Sequence, residues 1–100
     1  MSVLCTVVSV IKPECVEAFV ETLGGMFADT SRHAGFINIR LLKSETAQDE
    51  FILVQEWETI QHHQAYMAYR GEQGDLDTLS AMTSGPPQLR YWSATPLASA

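Results

Sequence analysis

Basic residues are scarce in this sequence. Its 100 residues include six Lys and Arg against twelve Asp and Glu, so the formal net charge is −6. A surface with this charge repels phosphate backbones and anionic membrane surfaces. The composition therefore argues against nucleic acid and against a membrane as partners.

The sequence also has few cysteines and no segment that resembles a leader or a membrane anchor. The N-terminal apolar run, residues 3–11, has no basic segment before it and ends at Lys12-Pro13, too soon for a signal peptide or a spanning helix. Cys5 and Cys15 form no Cys-x-x-Cys motif and have no histidine at a metal-ligand spacing. We expect a cytoplasmic protein with two free thiols and no bound metal.

Several motifs that are typical of cofactor binding or of a covalent mechanism are absent. The sequence contains no Gly-x-Gly-x-x-Gly, no phosphate-binding loop, no Gly-x-Ser-x-Gly and no His-Glu-x-x-His. These absences argue against nucleotide binding, against a flavin held by a dinucleotide fold and against acyl-enzyme chemistry.

Four segments have the composition of β-strands. They are rich in β-branched and aromatic residues and are bounded by turn residues. A short polar connection joins the second segment to the third, so we expect these two to pair as an antiparallel hairpin. The four segments are residues 3–11, 36–43, 51–58 and 88–95.

Helical periodicity fills the gaps between the strands. Pro13 suits the first turn of a helix, and apolar residues then recur at helical spacing, with a kink expected at Gly24-Gly25. Thr59 is a suitable N-cap for a second helix, and residues 76–82 predict one more short helix.

This order of elements predicts an α+β protein with a ferredoxin-like, split βαβ fold: a four-stranded antiparallel sheet with helices on one face. Residues 1–96 would form a single domain and residues 97–100 a frayed tail. Because the other face of the sheet is uncovered, we expect a homodimer with facing sheets. Asn38, Arg40 and Glu56 would lie at its interface, with an ion pair between Arg40 and Glu56 if these residues are opposite each other.

The third strand directs one set of side chains at the helices, because successive side chains alternate between faces. Trp57 belongs to this set and would meet His63 and Met67 on the second helix, around a cavity between sheet and helices. Trp57 and Met67 can equally be core residues, which is the commoner role of aromatics at strand spacing. The full inward set is Phe51, Leu53, Gln55 and Trp57.

Three side chains of the second helix could carry chemistry in such a cavity. His63 is a candidate general base, although a lone histidine among apolar neighbours is more often a packing residue. The adjacent His62 points about 100° away on a helix and cannot serve the same site. Tyr66 and Tyr69 could present phenols to a ligand, while half-buried tyrosines are also common structural residues.

Three stretches resemble the antibiotic-biosynthesis-monooxygenase family. Residues 54–66, with the letters VQEWETIQHHQAY, are similar to its signature, a Glu-aromatic strand end followed by an Ala-containing helix. Residues 32–36, RHAGF, resemble the segment that leads into its second strand, and the Pro-Pro-x-x-Arg-Tyr stretch resembles its last strand. The resemblance covers nearly the whole chain.

This resemblance implies a dimeric α/β barrel and an oxygenase that needs neither metal nor flavin. The substrates would be dioxygen and a quinol-like or polycyclic phenolic molecule, such as a polyketide. In such chemistry His63 would be the base, Trp57 a wall and an indole donor, and Tyr66 a phenol donor. The residues expected to contact the substrate are Phe51, Leu53, Gln55, Met67 and Tyr69.

Two other functions are compatible with the same resemblance. The first is a small-molecule-binding or regulatory dimer that performs no turnover, and the second is a haem-degrading monooxygenase. Tyr66 stands where the family commonly has a histidine, which argues against haem ligation at this helix position.

Overall fold

The structure is a computed structural model that describes all 100 residues, Met1 to Ala100. Strands and helices follow one another in the predicted order. The elements are β1 (Val3–Val10), a 3₁₀ turn (Pro13–Cys15), α1 (Val16–Gly25), α2 (Phe27–Thr30), β2 (Phe36–Lys43), β3 (Glu50–Trp57), α3 (Ile60–Glu72), α4 (Asp75–Ser80) and β4 (Gln88–Ser93).

The four strands form one antiparallel sheet in the order β2-β3-β1-β4. This order places the first strand beside both the third and the fourth, as the split βαβ arrangement requires. The helices lie on one face of the sheet. The predicted ferredoxin-like α+β fold is therefore confirmed.

Local signals account for the helix boundaries. Pro13 opens the 3₁₀ turn before α1, and α1 ends at Gly25, where the Gly-Gly pair favours a break. The side chain of Thr59 accepts a hydrogen bond from the backbone N–H of His62 and so caps α3, as expected. The last helix is shorter than predicted, because α4 ends at Ser80, two residues before Met82.

Two clusters of buried side chains fill the space between sheet and helices. One contains Ile11, Phe19, Leu23 and Phe51. The other, which we call the aromatic cluster, is built on the buried side chains of Val3, Trp57 and Tyr66, with His63 packed against Trp57. The partly buried side chains of Phe36, Met67 and Tyr91 complete it. Burial of these apolar groups supplies most of the driving force for folding.

Both cysteines are free thiols. Cys5 is a fully buried residue of β1, opposite Gln55 on β3 and Tyr91 on β4. Burial raises the pKa of the Cys5 thiol to about 11, because an apolar environment disfavours the thiolate. Cys5 is therefore a packing residue with little nucleophilic character.

The expected ion pair between Arg40 and Glu56 does not form. The β2–β3 hairpin pairs Lys43 with Phe51, and this register continues along β2, so that Arg40 lies opposite Val54 and Asn38 lies opposite Glu56. The carboxylate of Glu56 instead accepts a hydrogen bond from the hydroxyl of Ser2. The strand also has a bulge, but this irregularity lies between Phe36 and Asn38 and does not set the position of Arg40.

The face of the sheet opposite the helices carries a mixture of apolar and polar side chains. Leu42 and Trp92 are both nearly half exposed there, and the indole N–H of Trp92 donates to the Thr6 hydroxyl across the sheet at 2.9 Å. Ile52 and Val54 lie on the same face, since they alternate with the inward residues of β3. None of the helices combines the length and the hydropathy needed to cross a bilayer.

Gly35, just before β2, has a left-handed backbone with φ of +83°. A Cβ atom at this position would lie 2.2 Å from Cγ of His62, so the His62 ring occupies the space that any other residue would need. We expect Gly35→Ala to lower the free energy of unfolding by about 1–3 kcal/mol, through backbone strain and the clash. Urea denaturation followed by circular dichroism measures this change.

Gly24→Ala is the matched control for this substitution. Nothing lies within 4 Å of a Cβ atom at Gly24, and its backbone is helical without a positive φ. The control should be neutral or stabilise the protein by up to about 1 kcal/mol. Equal stabilities of the two variants would show that Gly35 and His62 do not constrain each other.

Candidate functional site

A cavity of about 320 Å³ lies between the helix-covered face of the sheet and the helices α1, α3 and α4. This volume is within the range of small-ligand sites in proteins. Twelve of its eighteen lining residues are hydrophobic, and no Asp, Glu or His is among them. Its polar lining residues are Ser9, Gln55, Tyr66, Arg70, Ser80 and Thr83.

Gln55 lies at the boundary between the cavity and the aromatic cluster. Its side chain is 2% exposed, and its Oε1 accepts a hydrogen bond from Nε1 of Trp57 at 3.0 Å. The indole nitrogen can only donate, so the oxygen of the amide must face Trp57. The NH₂ group of Gln55 makes no hydrogen bond with the protein, although the residue lines the cavity.

Arg70 is a buried cation that joins three helices. Its Nε donates to the Tyr66 hydroxyl at 2.8 Å, its Nη1 donates to Oδ2 of Asp75 at 2.9 Å, and its Nη2 donates to the Thr30 hydroxyl at 3.1 Å. A buried guanidinium without such partners would be strongly destabilising. Burial alone would lower the pKa of Arg70, but the hydrogen bonds from its guanidinium to Tyr66 and Asp75 together outweigh this effect, so the pKa is raised.

The hydroxyl of Tyr66 is fully engaged by this network. Thr30 donates its own hydrogen to the backbone oxygen of Met26 at 2.9 Å, so the 2.8 Å contact between the Thr30 and Tyr66 hydroxyls is donated by Tyr66. The Tyr66 oxygen also accepts from Arg70. The ring of Tyr66 lines the cavity, while its hydrogen is committed to Thr30.

His63 is completely buried in the aromatic cluster, outside the cavity wall. Its Nδ1 is 2.7 Å from the Tyr91 hydroxyl, and its ring packs against Trp57 at a centroid distance of 5.9 Å. Nε2 of His63 has no hydrogen-bond partner. Every other fully buried side-chain nitrogen or oxygen of the protein has one. Burial lowers the pKa of His63, because removal of water disfavours the imidazolium.

The structure brings together most of the predicted contact residues and separates others. Tyr69 lies outside the cavity lining, where its hydroxyl donates to the Asp29 carboxylate at 3.2 Å. That hydrogen bond raises the pKa of Tyr69, since it stabilises the neutral phenol. Trp57 and His63 also lie outside the lining. The predicted residues that line the cavity are Phe51, Leu53, Gln55, Tyr66 and Met67.

Sequence reasoning missed Arg70 as a site residue. A signal for it exists, because Arg70 follows Tyr66 by four residues and the two therefore share a face of α3. Its other partners, Thr30 and Asp75, come from α2 and α4, and only the tertiary structure brings them to it. No three His, Cys, Asp or Glu side chains lie close enough together to hold a metal ion.

Comparisons with known proteins agree with this architecture. A family model described as antibiotic biosynthesis monooxygenase matches residues 1–70. No curated protein matches the chain. Solved structures that resemble the chain share only 13% to 18% sequence identity with it, so the similarity to them concerns the fold alone.

Three solved structures illustrate that similarity. A conserved protein from Methanosarcina mazei Go1 has a TM-score of 0.85 and 13% identity, covering 92% of this chain and 91% of that chain. SnoaB, a cofactor-independent oxygenase from Streptomyces nogalater, has a TM-score of 0.81 and 16% identity, covering 95% and 94%. Rv0793 from Mycobacterium tuberculosis has a TM-score of 0.76 and 18% identity, covering 99% and 100%.

The lowered pKa of His63 predicts a pH dependence of stability. The unfolded chain binds a proton at His63 near the ordinary pKa of 6.5, while the folded protein binds it only at lower pH. Stability is therefore full above pH 6.5 and falls as the pH decreases toward the folded pKa, by up to about 1.4 kcal/mol per pH unit. Urea denaturation of the wild type at a series of pH values from 8 to 5 measures this slope.

His63→Gln should remove this part of the pH dependence, because glutamine does not titrate. His62→Gln is the control, since His62 lies next to His63 on α3 without being fully buried. The control should keep the wild-type slope. If His63→Gln also keeps it, His63 is not held neutral by the aromatic cluster.

Proposed function

The chain belongs to the antibiotic biosynthesis monooxygenase family, and we propose that it oxidises a quinol-like or polycyclic phenolic molecule with dioxygen. The reaction uses no metal and no flavin. One oxygen atom enters the substrate and the other leaves as water. The expected setting of the protein is the cytoplasm.

The observation that carries this proposal is the apolar cavity with the NH₂ group of Gln55 in its wall. An aromatic substrate fits a lining made mainly of Leu, Phe and Met side chains. The amide N–H groups give that lining a fixed donor for an oxygen atom of the substrate. An apolar wall strengthens such a hydrogen bond relative to the same bond in water.

The proposed substrate supplies its own electrons. Loss of the phenolic proton gives an anion with electron density on a ring carbon, and that carbon transfers electrons to dioxygen and forms a C–O bond. Cleavage of the O–O bond, with loss of the carbon's hydrogen, leaves a carbonyl group on the ring and releases water. A donor that faces the developing phenolate or peroxide anion lowers the barrier.

In this proposal some residues contact the substrate and others hold the cavity wall in place. Phe51, Leu53 and Met67 contact the ring system, and Gln55 donates to its oxygen. Tyr66 contributes its ring to the wall, with its hydroxyl held by Arg70. His63 is the base expected from the sequence, but it is buried in the aromatic cluster and does not line the cavity. We therefore propose that the acidity of the substrate, increased by Gln55, replaces a protein base.

One observation favours a second candidate, a dimer that binds a small molecule without turning it over. No carboxylate and no imidazole lies in the cavity wall. A protein that only stores or senses an aromatic ligand needs no base there. Oxygen consumption distinguishes the two candidates, since binding alone consumes none.

Oxygen uptake with a panel of quinols and polycyclic phenols tests the proposal. We expect enzyme-dependent uptake with at least one of them, in protein treated with a chelator and free of flavin absorbance. Gln55→Leu should lower kcat/KM by about 10²–10³-fold, because it removes the donor for the developing anion.

His63→Gln provides the comparison for Gln55→Leu. Its effect on kcat/KM should stay below about tenfold, because His63 does not reach the cavity. A loss of 10²–10⁴-fold in His63→Gln with little change in Gln55→Leu would identify His63 as the base and refute the proposed division of roles. Ligand binding without any oxygen uptake would favour the second candidate.

We also propose that the protein is a homodimer with facing sheets. The support is the uncovered face of the sheet, which exposes Leu42 and Trp92 and also bears Asn38, Arg40 and Glu56. Apolar surface of this kind is usually covered by a partner, and a second copy offers the same surface. The helices remain on the outside of such a dimer.

Light scattering at micromolar concentration should give twice the mass of the chain. Ile52→Glu puts a charge on this face, opposite the apolar Leu42 and Val8, and should shift the protein to monomer, since an unpaired charge is costly to bury at an interface. Val20→Glu, at an exposed position of α1, should leave the dimer intact. A monomeric wild type would contradict the proposed assembly.

A further inference from the structure

Trp57 lies next to the cavity without lining it, and its only polar atom is used inside the protein. The indole N–H donates to Gln55 Oε1, so it is not available to a ligand. The sequence predicted a different role for Trp57, as a wall and a direct donor. Its position requires another account of what this buried indole does.

We infer that Trp57 is a positioning residue which fixes the orientation of the Gln55 amide, and that the cavity therefore selects ligands with an acceptor oxygen. A carbonyl or phenolate oxygen would face Gln55, while an N–H or O–H donor would be disfavoured there. The inference rests on the proposed function in one respect, that the cavity is the substrate site. Binding alone tests it, so its outcome is independent of turnover.

The argument begins with the freedom of the Gln55 side chain. The terminal torsion of glutamine has two broad, nearly equivalent orientations, which exchange the positions of oxygen and NH₂. Without a neighbour, Gln55 could present either group to the cavity. The indole N–H removes this choice, because the reverse orientation would place two donors, the indole and the NH₂ group, against each other.

The second step concerns where the NH₂ group can find an acceptor. His63 Nε2 is the single side-chain nitrogen or oxygen that is fully buried and lacks a hydrogen bond, so Gln55 Nε2 must have access to open space. The space that Gln55 lines is the cavity. Its two N–H groups have no protein acceptor and are therefore free for an oxygen atom of a ligand.

The polar residues beside Gln55 in the cavity wall do not favour a hydrogen-bond donor on the ligand. Tyr66 donates its hydrogen to Thr30 and accepts from Arg70, and Arg70 has no acceptor atom at all. Both lie in the cavity lining with Gln55. The charge of Arg70 is itself paired with the carboxylates of Asp29 and Asp75, so the NH₂ group of Gln55 is the donor in this part of the wall that remains for a ligand oxygen.

Three bicyclic probes of similar size separate the effects of polarity and apolar contact. The probes are 1-tetralone, which only accepts hydrogen bonds, 1-naphthylamine, which mainly donates, and naphthalene, which does neither. Their dissociation constants are measured by competition in isothermal titration calorimetry with the intact protein. For the wild type we expect 1-tetralone to bind about tenfold more tightly than 1-naphthylamine.

Trp57→Phe keeps an aromatic ring and removes the N–H group. The amide of Gln55 can then turn, so 1-naphthylamine should bind several-fold more tightly than to the wild type, and the preference for 1-tetralone should disappear. Gln55→Met keeps the volume and should remove the preference without any gain for 1-naphthylamine. Trp92→Phe removes an indole N–H on the uncovered face of the sheet, away from the cavity, and should leave the preference for 1-tetralone unchanged.

Two results would overturn the inference. The first is a wild type with no preference between 1-tetralone and 1-naphthylamine. The second is a Trp57→Phe protein, folded by near-ultraviolet circular dichroism, that retains the wild-type preference. If Trp57→Phe does not fold, the Gln55→Met protein still tests the inference. An unchanged preference for 1-tetralone in that variant would exclude Gln55 as the source of the preference. An absence of oxygen uptake would refute the monooxygenase proposal and leave this selectivity intact.

Discussion

The hydrogen bond from the indole of Trp57 to the amide oxygen of Gln55 divides the interior beneath the helices into two parts. On one side lies the aromatic cluster, in which burial lowers the pKa of His63. On the other side lies the cavity, which receives the remaining polar atoms of Gln55. A strand brings the two residues into contact because positions two apart share a face, so this contact needs no loop to support it.

The helices that enclose the cavity depend on a second polar centre, the guanidinium of Arg70. Its partners are Tyr66 in the same helix, Thr30 in α2 and Asp75 at the start of α4, so one side chain holds three helices over the sheet. A buried cation needs such a set of partners, and loss of any one of them leaves a costly unpaired group. The shape of the cavity therefore depends on this centre as much as on apolar packing.

Much of the fold can be predicted from the sequence, because its signals are local. Period-two alternation identifies the inward set of β3, and Pro13 and Thr59 mark helix starts by the chemistry of their own residues. The division of the interior is not local. His63 and Met67 lie four apart on α3, but Tyr91 of β4 engages His63 while Met67 lines the cavity. The bulge in β2 and the partners of Arg70 likewise arise from contacts between distant segments.

The central claim is that a ligand binds in the cavity with an oxygen atom against Gln55, while Trp57 stays on the far side of that amide. A crystal structure of the protein with 1-tetralone bound tests this claim most directly. The account predicts the carbonyl oxygen of the ligand at about 2.9 Å from Gln55 Nε2, with Trp57 Nε1 still donating to Gln55 Oε1. A ligand bound against His63, or on the uncovered face of the sheet, would contradict it.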